Sequence, residues 1–303
     1  MIKFNNFFEA AQYFSTDKKC REYLEVLIWN NKPVCPHCSH DEKIYRFKDG
    51  KNFKCSSCRK KFTITVGTVL ENTNIPLQKW MFTLYLVSST KKGMSSVQIS
   101  KAIGVTVKTA WFMLQRIREM LNEEVQQMQN IVEVDETFIG GKYKNKHMNK
   151  RKPHAQGRSG VDKIAVFGML ERGGRVKTMK VANTEKVILQ PIIEANVMKG
   201  TNIMSDEWRG YNGLKYEYNH EKVRHKKGQY VDGNIYTNTL EGHWGHVKRT
   251  IMGTYHIMTP KHINRYLAEF DFRYNNRKKH EVLRFDTALE NCRGRLKYKD
   301  LVA

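Results

Sequence analysis

The sequence lacks any long apolar segment: no run of 18 residues is both apolar throughout and free of charged side chains. No membrane span is therefore predicted, since a helix that crosses a bilayer needs about 20 such residues. The first residues, MIKFNNFFEAAQYF, also lack the charged and then apolar layout of a secretory signal. We expect a cytoplasmic protein with reduced thiols, in which the six cysteines need a role other than disulfides.

Acidic residues are also few. The chain has 30 Asp and Glu against 53 Lys and Arg, which gives a formal net charge of +23. Such a surface favours a polyanionic partner, nucleic acid first and an anionic membrane second, and a merely basic structural protein is the alternative. With 303 residues and 40% hydrophobic content, the chain is long enough for more than one folded domain.

Four of the six cysteines form two CxxC pairs, Cys35 with Cys38 and Cys55 with Cys58, separated by sixteen residues. This spacing is typical of four thiolates around a tetrahedral zinc ion. The intervening segment alternates polar and aromatic residues around the turn signal Asp49-Gly50, so residues 31–66 are predicted to form a zinc ribbon. Four cysteine ligands close the coordination shell, so the Zn²⁺ is structural.

Two short helices joined through Gly104 are predicted within residues 67–125. Ser95 and Gln98 fit a capping box, and Thr106 is placed to cap the second helix. The buried side of the first helix is predicted to consist of Val97, Ile99, Ala102 and Ile103. This pattern matches a DNA-reading helix-turn-helix, and an ordinary helical hairpin is the alternative. The predicted DNA contacts are Thr106, Lys108 and Thr109.

The second half of the chain changes character. Residues 131–141 predict a strand, and a hairpin follows around Gly173-Gly174. A helix capped by Asn183, two further strands and two helices complete the pattern, and Asn238 and Thr239 lie where the cap of the first of those helices is expected. This order is that of an RNase H-like α/β domain, with a mixed five-stranded sheet and packed helices.

Three carboxylates are expected to converge in that arrangement: Asp135 on the first strand, Asp206 at the end of a later central strand, and Glu241 on a helix packed against the sheet. Carboxylates brought together repel unless a cation joins them, and Mg²⁺ or Mn²⁺ prefers oxygen ligands. Two such ions support an in-line phosphoryl displacement. Lys248 lies seven residues after Glu241 on the same helical face, so it is placed to hold a phosphate.

Neighbouring acids compete for these roles. Periodicity does not separate Asp135 from Glu133, on the same strand face, or from the adjacent Glu136. Glu207 competes with Asp206 in the same way. Its alternative role is to begin the next helix, where an acid in the first turn is favourable.

Residues 142–160 form a basic insertion between two strands of the proposed sheet. Seven Lys or Arg and no acid occur in residues 142–158. The insertion is predicted to follow DNA phosphates through Lys150, Arg151 and Lys152, and a solvated loop is the alternative.

Several blocks of this chain resemble those of DDE-type transposases of bacterial insertion sequences, in the zinc-ribbon-bearing branch related to Merlin elements. The blocks are VDETFIGGK, SDEWRGY, YTNTLEGHWGHVKR, GTYHIMTPKHINRYLAEF and RYNNR, and with the ribbon the resemblance covers residues 30–277. It implies metal-dependent DNA strand cleavage and transfer by a DDE triad at Asp135, Asp206 and Glu241. The lysine after the glutamate falls on Lys248. Some relatives have asparagine as the third ligand, which leaves Asn238 as the alternative to Glu241.

The resemblance also implies partners and an organisation. The expected partner is double-stranded DNA, both the terminal inverted repeats of the element and the target DNA. A homodimer or larger assembly is expected to hold this DNA, with contacts that include Lys248 and Arg249. The expected parts are a helical segment (1–30), the zinc ribbon (31–66), the helix-turn-helix (67–125), the catalytic domain (126–280) and a C-terminal tail (281–303). A zinc-ribbon and helix-turn-helix transcription regulator without catalysis and a metal-dependent nuclease remain as alternatives.

Overall fold

The computed structural model describes residues 4–124, 126–141, 147, 163–223 and 235–302. The chain divides into two compact units. The first consists of residues 1–123 and 276–303, and the second of residues 124–275. None of the helices in the described ranges is long and apolar enough to cross a bilayer.

Helices and a small sheet form the N-terminal part, in the order α1 (Phe7–Tyr13), α2 (Asp17–Trp29), β1 (Ile44–Arg46), β2 (Phe53–Cys55), β3 (Lys61–Phe62), α3 (Leu77–Ser89), α4 (Ser96–Ile103) and α5 (Val107–Met120). The second unit follows with β4 (Ile131–Ile139), β5 (Ile164–Glu171), β6 (Val176–Lys180), α6 (Lys186–Asn196), β7 (Asn202–Ser205), β8 (Asn219–Lys222), α7 (Asn238–Thr250), a π-helical segment (Ile251–Tyr255) and α8 (Ile263–Asn275). The chain ends with α9 (Glu281–Glu290) and α10 (Tyr298–Val302).

Residues 281–303, predicted to be a C-terminal tail, are an integral part of the first unit. Phe285 of α9 lies with its ring centre 5.8–6.1 Å from the ring centres of four aromatic side chains of the N-terminal segments, Phe4, Phe14, Tyr23 and Tyr85. Phe285 is fully buried. The periodic pattern of residues 281–290 is therefore that of a core helix.

The ribbon is a three-stranded antiparallel sheet in the order β1-β2-β3. The predicted turn is present: Gly50 has a φ of +63°, and the Phe47 N–H donates to the Asn52 carbonyl at 2.9 Å. Phe53 and Phe62 stack with ring centres 5.5 Å apart, and these buried rings lie in one small core with Cys35 and Cys55.

The helix pair has the predicted caps. Ser95 and Gln98 form both hydrogen bonds of the capping box, Gly104 ends α4 in the left-handed conformation, and the Thr106 hydroxyl accepts the Thr109 N–H. The predicted buried side of α4 is wrong in part. Ile99 is fully buried, but Val97 is 48% exposed and Ala102 is exposed, so α4 buries a narrower stripe than its apolar residues indicate.

The second unit contains the mixed five-stranded sheet expected of an RNase H-like domain. Its strand order is β6-β5-β4-β7-β8. Strands β4, β5 and β6 are antiparallel neighbours, whereas β7 runs parallel to β4, and β8 runs parallel to β7. One face packs against α6 around Val132, Val134 and Ile193, and the other packs against α7 and α8 around Val166, Leu240 and Leu267.

Helix α8 also covers the outer edge of the sheet. The outward N–H groups of β6 donate to side chains of α8 at 2.7–2.9 Å: Val176 to Asn275, Thr178 to Asp271, and Lys180 to Asn264. An uncovered edge strand would present unpaired backbone groups to other chains. The edge of β6 is therefore closed by side chains, and Asn275, from the RYNNR block, has a structural role.

Two predicted helix caps are wrong. Asn183 does not cap α6, because its side chain accepts the Glu185 N–H two residues along and the helix begins at Lys186. Asn238 and Thr239 do not precede α7 but lie in its first turn, and the side chain of Thr237, at the cap position, makes no capping hydrogen bond.

Candidate active site and metal centre

The four cysteine sulfurs of the ribbon lie in one cluster. Their Sγ atoms are all within 4.8 Å of one another, with 3.6 Å between Cys35 and Cys58 and 3.7 Å between Cys38 and Cys55. A tetrahedral zinc ion with Zn–S bonds of about 2.3 Å sets its sulfur ligands about 3.8 Å apart. The spacing and the all-sulfur donor set therefore fit a structural Zn²⁺, as predicted from the two CxxC pairs.

Asp135 lies in the middle of β4, opposite Gly168 of β5. The indole Nε1–H of Trp244, from α7, donates to Asp135 Oδ2 at 3.1 Å. A Cβ atom on residue 168 would lie 2.5 Å from the Trp244 ring, so the ring packs directly onto the glycine backbone. This close approach brings α7 to the strand that carries Asp135.

Asp206 follows the last residue of β7. The parallel register pairs Glu133 with Met204, and two further residues along this register place Asp206 beside Asp135. One carboxylate oxygen of Asp206 accepts the Trp208 N–H at 2.8 Å, which fixes the turn that ends the strand. The candidate carboxylates of β4 and β7 therefore lie on neighbouring strands of one sheet.

Glu241 lies in the first turn of α7, three residues before Trp244 and on the same side of the helix. Glu241 is exposed, and its carboxylate accepts the Thr237 hydroxyl at 3.1 Å. Lys248 lies in the last turn of α7 and is exposed. Both side chains are thus presented by the helix that Trp244 attaches to the sheet.

The acids of this region affect one another electrostatically. Burial raises the pKa of Asp135 to about 7, and the negative charges of Asp206 and Glu241 contribute to that rise. Burial also raises the pKa of Glu136 to about 8, although Tyr211 donates a hydrogen bond to it. Positive charge near Asp135 would therefore be strongly favoured.

The three carboxylates are close enough to interact but do not form a compact ligand set. Among the described residues, only the cysteine quartet brings three or more ligand atoms of His, Cys, Asp or Glu within 4.8 Å of one another. Mutual repulsion and the hydrogen bond from Thr237 to Glu241 both favour separation of the acids. The donor chemistry, oxygen atoms only, still matches the preference of Mg²⁺ and Mn²⁺.

Glu133, which the sequence leaves as an alternative to Asp135, has another role. It is fully buried, and Arg172 Nε donates to it at 2.7 Å. Its carboxylate also accepts the Leu240 N–H at 2.8 Å and the Thr239 hydroxyl at 2.9 Å. Glu133 therefore supplies the cap of α7 from a distant strand. Neither this role nor that of Arg172 is predictable from the sequence, because no local pattern relates a strand residue to a helix more than 100 positions further along.

Glu136 is separated from Asp135 by the pleat of the strand. Odd-numbered residues of β4 face α7, as Ile139 does, whereas Val132 and Val134 face α6. Glu136 is on the α6 side, where Tyr211 binds it. Asp135 and Glu136 therefore face opposite sides of the sheet.

The predicted DNA contacts fall into three groups. Thr106 and Lys108 are exposed at the start of α5, and Thr109 beside them is partly exposed. Lys248 and Arg249 are exposed on α7, as is Asn238, the alternative to Glu241 as third ligand. Lys150, Arg151 and Lys152, with nearly all of the basic insertion, lie outside the described residues.

Comparison with known proteins gives the family. An ISXO2-like transposase domain matches residues 127–275, and a transposase zinc-ribbon domain matches residues 15–61. The chain belongs to the ISXO2-like transposase family. The first match covers nearly all of the second unit and contains Asp135, Asp206 and Glu241, and the second contains all four cysteines of the quartet.

Two relatives of this transposase are consistent with that assignment. An uncharacterized protein in transposable element ISH50 of Halobacterium salinarum is 25% identical over 274 residues, which span 86% of this chain and 91% of the relative. An uncharacterized transposase-like protein of Haemophilus influenzae is 28% identical over 103 residues, 34% of this chain and 82% of the relative. The likeness to the first extends over both units.

Proposed function

We propose that this insertion-sequence transposase binds the ends of its element. We propose that it cuts and joins DNA strands in an active site formed by Asp135, Asp206 and Glu241. The observation that supports this most is the electrostatic coupling at Asp135. Asp135 is half-buried, this burial raises the pKa of its carboxyl, and two acids 71 and 106 residues further along the chain raise that pKa further. An acid whose pKa is raised by burial together with the charges of acids from distant elements is a candidate for a catalytic site.

The three carboxylates are proposed to hold two Mg²⁺ or Mn²⁺ ions. When bound, such a pair activates the attacking oxygen and stabilises the leaving oxygen of a phosphoryl displacement. Glu241 is preferred over Asn238 as the third ligand, because a carboxylate binds Mg²⁺ better than an amide and because Glu241 contributes to the pKa of Asp135.

Other residues position the substrate and the acids. Trp244 holds the Asp135 carboxylate by its Nε1–H, and Lys248 is proposed to contact a phosphate from the same helix. The proposed reaction is hydrolysis of a phosphodiester, which leaves a 3′ hydroxyl, followed by attack of that hydroxyl on a target phosphodiester. No covalent protein intermediate is required.

DNA binding is proposed to use several separate elements. The exposed start of α5, with Thr106, Lys108 and Thr109, is proposed as the reading end of a helix-turn-helix. Arg249 and the basic residues Lys150, Arg151 and Lys152 are proposed to contact phosphates. A homodimer or larger assembly would hold the two element ends together.

Incubation with supercoiled plasmid carrying the element ends, with Mg²⁺ or Mn²⁺, tests this function. Wild type should nick the DNA at the ends and yield joined products, and Asp206→Asn should bind the DNA but do neither. Glu217→Gln is the matched control, since Glu217 is an exposed acid of the same unit paired with Lys199 at 3.0 Å. Free ends without joined products would indicate a nuclease, and binding without nicking by wild type would contradict the proposal.

A further inference from the structure

A polar cavity of about 720 Å³ opens in the second unit at Glu207, the residue after Asp206. Its lining includes Glu207, Asn212, Lys215, Tyr216, His220 and Lys222. His220 and Lys222 lie on β8, and Glu207 lies shortly after the end of β7, the neighbouring parallel strand. Ligands of open α/β sheets commonly bind at the carboxyl ends of parallel strands.

The cavity wall is hydrogen-bonded to the turn that carries Asp206. The Ser205 hydroxyl donates to the Asp206 carbonyl at 2.8 Å, and the same hydroxyl lies 2.8 Å from His220 Nε2. Because the single hydroxyl hydrogen is used, the ring nitrogen is the donor to Ser205. Burial, with Lys222 nearby, lowers the pKa of His220 to about 4, so its ring is neutral at pH 7.

Two lysines and one aromatic ring are presented together in this cavity. Tyr216 is 82% exposed, and Lys215 Nζ lies 5.4 Å from the centre of its ring. Lys222 Nζ donates to Asn212 Oδ1 at 2.8 Å. Glu207 is the one acid among the described residues that line the cavity, so these side chains together carry net positive charge.

The loop that bears the tyrosine is fixed in shape. Gly213 has a φ of +107°, a conformation that other residues rarely adopt. The preceding carbonyl, of Asn212, accepts a hydrogen bond from Gln190 of α6 at 2.9 Å. Lys215 and Tyr216 therefore follow a loop that is anchored before DNA arrives.

We propose that this cavity, which opens on the α6 side of the sheet, receives one nucleotide of the DNA strand that continues past the end of β7 from the reacting phosphate, with its phosphate on Lys215 and Lys222 and its base against Tyr216. The proposal rests on the proposed function, because it takes the strand at Asp206 as the substrate. A lysine pair suits a phosphate oxygen, and every base has a face that stacks on an aromatic ring. The site is thus a single-nucleotide subsite without sequence preference.

Salt dependence of DNA binding by the full chain tests the phosphate contact. The double variant Lys215→Ala, Lys222→Ala should reduce the slope of log K against log salt by about 0.7–0.9 for each phosphate that is no longer neutralised. Lys180→Ala is the matched control and should leave the slope unchanged, because Lys180 is exposed on β6, at the opposite edge of the sheet. Equal slopes for wild type and the double variant would overturn the proposal.

Tyr216 tests the base contact. Tyr216→Ala should weaken binding to element-end DNA by roughly 5- to 150-fold, whereas Tyr216→Phe, which keeps the ring, should stay within about twofold. With 5-iodouracil placed in turn at each nucleotide beside the cleavage point, photocrosslinking should yield a peptide linked at Tyr216. Crosslinks confined to other peptides, with unchanged affinity of Tyr216→Ala, would refute the subsite.

Failure of the subsite and failure of the proposed function give different results. If wild type and the cavity variants cut and join DNA equally, with equal salt slopes, the subsite is wrong and the transposase chemistry stands. If wild type binds DNA without cutting it, the proposed function is wrong, whereas the slopes and the crosslinks still report whether DNA enters the cavity.

Discussion

Replacement of Gly168 by alanine should disturb the contact that attaches α7 to the sheet. The new methyl group would lie 2.5 and 2.8 Å from two ring atoms of Trp244 and 3.2 Å from Leu240 Cδ1. The indole must then move away, and overpacking of this kind costs about 1–3 kcal/mol. Loss of the bond from Trp244 to the Asp135 carboxylate would add about 1.5–3 kcal/mol.

Some of this cost is offset, because alanine in a strand is better than glycine by roughly 0.5–1 kcal/mol. We therefore expect Gly168→Ala to lower the free energy of unfolding by at least about 1 kcal/mol, measured by urea titration. The rate of DNA strand nicking should fall by more than the loss of folded protein accounts for, since the movement of Trp244 changes the position of Asp135.

Gly242→Ala is the control for this experiment. Gly242 lies in α7, and its new methyl group would lie in open space, so alanine should be neutral or stabilising by up to about 1 kcal/mol. Combining Gly168→Ala with Trp244→Phe, whose ring is smaller, should cost less than the sum of the single changes. Equal stability and nicking of Gly168→Ala and Gly242→Ala would refute the reasoning.

Three further predictions concern other parts of the molecule. Arg172→Ala should lower the free energy of unfolding by about 3–5 kcal/mol in urea titration, because it leaves the buried Glu133 carboxylate without its cation, and a loss below about 1 kcal/mol would contradict that role. Chelation of zinc, or Cys55→Ser, should remove the protection of β2 amides from hydrogen exchange but leave that of β4, and retained protection in β2 would argue against a structural ion. Lys108→Ala should weaken DNA binding without changing the free energy of unfolding. Thr106→Ala should weaken DNA binding and also lower the free energy of unfolding by about 0.5–2 kcal/mol, because α5 loses its cap. Equal DNA affinity of Lys108→Ala and wild type would count against the helix-turn-helix.

Local signals predicted most of the elements. The capping box at Ser95, the left-handed Gly104 and the turn at Gly50 follow from rules that act within four residues, and each is present. Strand-forming residues and the two Gly pairs likewise predicted β4, β5 and β6 of the second unit. The errors occur where the partner is distant in sequence. Val97 was expected to be buried, but burial depends on which other helices cover α4.

The candidate acids show the same limit. Sequence periodicity separates β4 into two faces but does not say which face a helix covers or what that helix carries. Only the packed structure distinguishes Glu133, bound by Arg172, from Asp135, whose neighbours are Trp244 and two other acids. The resemblance to DDE transposases supplied the choice of Asp135, and the pattern of the residues alone did not.

The cap of α7 and the contact of Trp244 together explain how Glu241 is placed. Glu133 binds the Leu240 N–H, and Asp135 binds the Trp244 indole. Two residues along a strand rise about 6.7 Å, and four residues along a helix rise about 6 Å, so the two attachment points match in spacing. Strand and helix run in the same direction between them, and an attachment at two points fixes both the position and the tilt of the helix. Glu241 lies directly after the first attachment point, at Leu240. Strand β4 therefore determines the position of the Glu241 carboxylate and also carries the carboxylate of Asp135.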